Sequence, residues 1–168
     1  MDIVQGMSCA EHGRDAVREA VAGWLTPPDI PFALCSAIQG STDVVQALTE
    51  RFPNAVVAGS TTSGEYLDGQ RYHNSVVVTG LCNSGIEWAT GRVTDLEAIT
   101  GQRADAPISG LFHDPGTPSD DVDPEDFFTM SSMDGKCSNE GTICALIDGA
   151  LCSVHLAGGS AGDDATCP

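Results

Sequence analysis

Apolar and polar positions alternate along the chain in blocks that predict alternating helices and strands. From Arg14 to Leu25, Ala16, Val17, Ala20, Val21, Trp24 and Leu25 recur at helical spacing. Arg14, Asp15, Arg18 and Glu19 fall on the other side, and Pro27-Pro28 stops the pattern. Pro31 to Ile38 is a short apolar run and predicts a buried strand. A second helix follows over 43–52, with Val44, Val45, Leu48 and Phe52 on one face and Ser41 or Thr42 as its cap. Residues 55–59 predict a second strand, which makes a β-α-β unit with parallel neighbouring strands.

The second half is patterned less evenly. After a polar loop, residues 74–82 predict a strand, and 86–93 a further strand paired with it as a hairpin across Asn83-Ser84-Gly85. A weak helix is expected over 94–104. Residues 105–124 are rich in Pro and Asp and predict a solvated loop; their Asp-Asp-x-Asp run lacks the ligand spacing of a calcium hand. A strand over 127–133, a helix over 139–151 and a last strand over 153–157 complete the reading. Ile143, Cys144, Ile147, Ala150 and Leu151 form that helix's apolar face. The expected class is α/β, a mixed and largely parallel sheet with flanking helices.

The 168 residues suit one domain, and a chain of this size buries roughly 70% of its unfolded surface. Charge narrows the partners. With 24 acidic residues against 7 basic ones the net charge is −17, which argues against binding to nucleic acid or to an anionic membrane surface. The excess fits either a halophilic protein, whose self-repulsion is screened by salt, or an ordinary acidic one. The two part on whether molar KCl stabilises the fold. The N-terminus shows no basic and apolar signal-peptide pattern, so a cytoplasmic location with reduced cysteines is expected.

Two glycine-rich segments carry the candidate chemistry. They are Gly59-Ser60-Thr61-Thr62-Ser63-Gly64-Glu65 and Gly158-Gly159-Ser160-Ala161-Gly162-Asp163-Asp164. Each follows a predicted strand and is read as a strand-exit loop. Ligands of open α/β sheets settle at such strand ends. The segments therefore predict two walls of one small-ligand pocket, with hydroxyls and amides orienting a polar ligand. Glu65, Asp163 or Asp164 would meet an ammonium group. The competing reading is that both are tight turns needing glycine for backbone reasons.

The run from Val57 to Glu65 resembles the G-[CS]-[ST]-[ST]-[AS]-G-E signature of the FIST N-terminal domain. His155 to Asp164 is similar to the family's later GGsAgD element. The opening helix, the Pro31–Ile38 strand, the Ser75–Val78 strand and the strand before Met133-Asp134-Gly135 are similar as well. The resemblance implies an intracellular sensory domain of signal transduction that binds small ligands such as amino acids. It implies output through a C-terminal FIST domain or a separate signalling protein. It also implies that the chain ends short of a complete domain, and it raises a haem-binding nitric-oxide sensor as an alternative; His73 and His155, beside predicted strands near the two segments, are then the candidate axial residues. A third possibility is a protein-interaction module without a small ligand.

Other constellations weigh less. Gly158-x-Ser160-x-Gly162 matches a hydrolase nucleophile elbow, but no histidine follows Ser160, so no enzyme is expected. Cys9-x2-His12 and Cys152-x2-His155 would form a zinc site only if the two segments met; no metal site is expected.

Overall fold

The computed structural model describes residues 1–96, 110–111, 123–136, 139–151 and 154–162. Its contacts divide the chain into two compact units, one of residues 1–86 with 161–168 and one of residues 87–160.

The first unit is built on a four-stranded sheet whose strands lie in the order Asp2–Ser8 (β1), Val76–Cys82 (β6), Ile30–Ser36 (β2) and Ala58–Thr62 (β3). β1 (Asp2–Ser8) leads into α1 (Gly13–Ala20), β2 (Ile30–Ser36) into α2 (Ser41–Arg51), and α2 into β3 (Ala58–Thr62). β6 (Val76–Cys82) lies between β1 and β2 and is antiparallel to both, while β2 and β3 are parallel. The predicted α/β class with a mixed sheet holds, as does the β2-α2-β3 unit of parallel neighbours. The balance of directions does not match the expected largely parallel sheet, because β6 is inserted antiparallel between β1 and β2. The predicted hairpin over 86–93 is absent: residues 86–93 have no regular structure, and β6 already has a partner on each side. The strand it has instead, β1, was not legible. It is an edge strand with Ile3 exposed, so its pattern does not alternate cleanly.

The apolar face of α1 meets that of α2 over the sheet. Ala16, Val17, Ala20, Val21, Val44, Leu48, Phe52, Val76 and Val78 form one buried cluster with Ala33 and Cys35. Full burial of a side chain such as Leu48 contributes roughly 1.5–3 kcal/mol. α1 stops at Ala20, short of the expected Leu25, which is 98% exposed. The reason is tertiary: Trp24 leaves the helical path to stack on Phe52, ring centres 5.8 Å apart. Gly80 of β6 makes room for it, since a Cβ there would lie 2.7 Å from the indole. α2 starts earlier than predicted. Its cap is Gly40, at φ +73°, rather than the hydroxyl of Ser41 or Thr42.

β3 begins at Ala58, three residues after the predicted start, so Gly59 to Thr62 belong to the strand and not to a loop. Here Phe32 to Ser36 pair in register with Ala58 to Thr62. The polar stretch after it is a second hairpin, β4 (Glu65–Leu67) with β5 (Gln70–Tyr72). Asp68 and Gly69 turn it with positive φ at both residues, as a two-residue hairpin loop requires.

In the second unit β7 (Phe128–Asp134) pairs with β8 (His155–Ala161), whose last residue, Ala161, is counted with the first unit. α3 (Glu140–Ala150) lies between them in sequence, close to its predicted span. Leu151 and Val154 are buried with Phe127, Leu146, Ile147, Ala150 and Leu156, and Met133 and Ile143 with Leu96, Cys144 and Ile147. β8 extends through Gly158, Gly159 and Ser160, so these too are strand rather than loop. Most of the 94–104 and 105–124 segments lies outside the described residues.

Candidate functional site

β1 and β2 are both antiparallel to β6 and β3 runs with β2, so the carboxyl ends of β1, β2 and β3 share one edge of the sheet. β6 starts at that edge, because Val76 pairs with Cys35. The edge is where ligands of α/β sheets bind. The signature run reaches it at Thr62, turns through Ser63-Gly64 and enters β4 at Glu65.

Glu65 faces inward. It is 1% exposed, and its two carboxylate oxygens accept hydrogen bonds from two hydroxyls. Thr62 Oγ1 donates to Oε1 at 2.5 Å, and Ser75 Oγ, fully buried, donates to Oε2. The register explains the meeting: Thr62 ends β3 while Ser75 immediately precedes β6, one residue beyond the strand pairing. Ser75 also anchors the sheet edge, its carbonyl accepting from Ser36 N–H at 3.0 Å. A buried carboxylate is costly unless its lone pairs are satisfied, and here both oxygens are held by protein groups. The geometry therefore makes Glu65 an internal strut across the turn. It leaves no exposed oxygen for the ammonium group that the sequence led us to expect.

Cys35 is buried in the same layer, its Sγ 4.0 Å from the Ser60 carbonyl. Burial, and secondarily the charge of Glu65, push its thiol up from about 9 to about 11. The folded state therefore keeps a proton that the unfolded chain gives up. This contribution to stability is complete below about pH 9 and is lost as pH rises through about 11. Urea unfolding as a function of pH should show a steeper alkaline loss in the wild type than in Cys35→Ala. Identical pH slopes would contradict the assignment.

The outer side of the turn is different in character. Ser63 is exposed, and Arg71 returns along β5 opposite Tyr66, with its Nη2 donating to the Ser63 carbonyl at 3.0 Å. The guanidinium lies over Gly64, where a Cβ would sit 2.8 Å from Nε. Gly162 reaches the same turn: its N–H donates to the Thr61 carbonyl at 3.0 Å, and a Cβ on it would fall 2.7 Å from Ser63 N and closer still to Ser63 Oγ.

The glycines are thus explained largely by close approach. Gly59, at φ +152°, lies on the carbonyl of Ala33, and Gly158 lies on Ser131 of the neighbouring strand. Of the sequence candidates, Thr61, Thr62, Ser63, Gly64, Glu65 and Gly162 come together. Gly59 and Ser60 lie lower on β3. Gly158, Gly159 and Ser160 lie on β8 in the other unit, and Asp163 and Asp164 are outside the described residues. Ser160 sits within a strand, not on the strand-to-helix turn that a nucleophile elbow requires. Ser75, Cys35 and Arg71 were missed. The Asp68-Gly69 hairpin signal was the available clue for Arg71. Ser75, at the start of the Val76–Val78 run, had no comparable mark.

The alternative ligands find less support. His73 and His155 are both exposed, a setting that does not fit a haem axial ligand, which works from inside an apolar pocket. Cys9 and His12 are exposed, Cys152 lies outside the described residues, and no group of three or more His, Cys, Asp or Glu is placed to hold a metal ion among the described residues. The groove of about 470 Å³ lined by Val4, Gln5, Ala20, Gly23, Trp24, Leu25 and Thr26 contains none of the signature residues. Among the described residues, no helix is long and apolar enough to cross a membrane.

The described residues thus form an α/β domain with a hydroxyl-rich turn at the carboxyl edge of its sheet. The chain belongs to the FIST N domain family, whose model matches residues 29–167. The family is one of sensory signal-transduction domains and is not an enzyme family. Comparison with curated proteins and with solved structures yields no match.

Proposed function

We propose that this chain is a cytoplasmic sensory module that binds a small polar ligand, of the amino-acid class, at the turn formed by residues 61–65 and Gly162. The observation that carries this reading is the bond from Gly162 N–H to the Thr61 carbonyl. It joins the end of the second glycine motif to the first, at the sheet edge where α/β domains take ligands. Glu65 holds the turn from within, which keeps the outward hydroxyl and backbone groups in fixed positions. Binding alters the turn, and the change passes to a C-terminal FIST domain or to a separate signalling protein. Neither nucleic acid nor membrane takes part.

Thermal-shift measurements with each of the twenty amino acids and with haem test this. At least one amino acid should raise Tm saturably. Ligand at a hundred times Kd stabilises by about 2.7 kcal/mol, or roughly 5–10 °C for a chain of this size. If no compound shifts Tm while a partner protein still binds saturably, the module acts by protein interaction alone.

A further inference from the structure

We infer that the turn recognises the anionic group of its ligand, and that Arg71 is the residue that does so. The inference rests on the ligand-binding reading above and reverses the charge expected of the site. The chain holds 24 acidic and 7 basic residues, and of its described arginines Arg51, Arg71 and Arg92 make no ion pair, Arg51 lying instead over the Phe52 ring. Arg14 is paired with Glu50 at 2.8 Å and Arg18 with Asp15 at 2.7 Å. Arg71 forms no ion pair among the described residues. Its single hydrogen bond goes to a neutral acceptor, the Ser63 carbonyl.

That bond orients the guanidinium without neutralising it. Five N–H donors in a fork are available to Arg, and one is used here. The turn's own carboxylate, Glu65, faces inward and is held by Thr62 and Ser75. Asp68, at the hairpin tip, makes no ion pair with Arg71. The outward face of the turn therefore presents an exposed cation oriented by the Ser63 carbonyl. Gly64, bare of a side chain, lets the guanidinium lie close against the backbone, so little side-chain freedom remains to be lost on binding. Such a fork suits the planar, bidentate geometry of a carboxylate, and also a phosphate oxygen pair.

The test compares three sets of probes on the full chain by thermal shift: free L-amino acids, the same amino acids as primary amides, and inorganic phosphate. The amides keep the ammonium group and side chain but carry no anionic group. A free acid should shift Tm where its amide does not, and Arg71→Gln should weaken the response about tenfold to a hundredfold. Arg71→Lys, which keeps the charge and loses the fork, should restore it only in part. Because Arg71 is exposed, the unliganded Tm of both variants should stay near that of the wild type. A response to phosphate that is lost in Arg71→Gln supports the same anion site with a phosphate source. Equal shifts from acid and amide, or an unchanged response in Arg71→Gln, would overturn the inference while leaving the ligand reading intact. No shift from any probe would overturn both.

Discussion

Glu65→Ala should destabilise the chain by about 2–4 kcal/mol, lowering Tm by roughly 5–15 °C. The substitution removes the acceptor of two hydroxyls at once. Ser75 is fully buried and is left with no carboxylate to donate to, and Thr62 loses its bond at the end of β3. An unsatisfied buried polar group costs about 1–3 kcal/mol, and two share this site. Glu65→Gln should cost less, because the amide can accept from one hydroxyl and donate to the other once that hydroxyl rotates. Urea unfolding of the two variants checks the order. An alanine variant within about 0.5 kcal/mol of wild type would show that the carboxylate is not an internal strut.

Gly59→Ala should be comparably severe, about 3 kcal/mol or more. A Cβ at this position meets the backbone carbonyl of Ala33 on the paired strand, and neither β2 nor β3 can give way without losing its register. Backbone at φ +152° adds a conformational cost that only glycine escapes. Gly23→Ala is the control, since nothing lies within 4 Å of a Cβ there and its φ is ordinary. Thermal unfolding should separate the two by several degrees. Equal Tm values would mean that Gly59 is present for some reason other than close packing.

These two sites show how far the sequence could be read. The α2 and α3 helices, the β2-α2-β3 unit and the central strand β6 were legible because each rests on an apolar face of regular period. Periodicity does not report tertiary competition. Trp24 fits the helical stripe of α1 perfectly well, yet it leaves the helix for Phe52. The edge strand β1 escaped because only one of its sides is paired, and its exposed Ile3 breaks the alternation.

The signature run was recognisable as a motif, but its internal wiring was not. A Thr-x-x-Glu spacing says nothing of whether the carboxylate faces water or the sheet. The answer depends on Ser75, ten residues on, which the register of β6 carries to the same edge. Arg71 was obscured for a similar reason. Its approach to Ser63 follows from the Asp68-Gly69 turn, which folds β5 back on β4.

We propose that the turn of residues 61–65 is the ligand-contacting surface of this FIST N domain. Amide-resolved NMR with the amino acid that raises Tm most, titrated beside its amide, tests this placement. Saturable shifts should concentrate at Thr61, Thr62, Ser63, Gly64 and Gly162. Shifts confined to the groove around Val4, Gln5 and Trp24, with the turn unmoved, would contradict it.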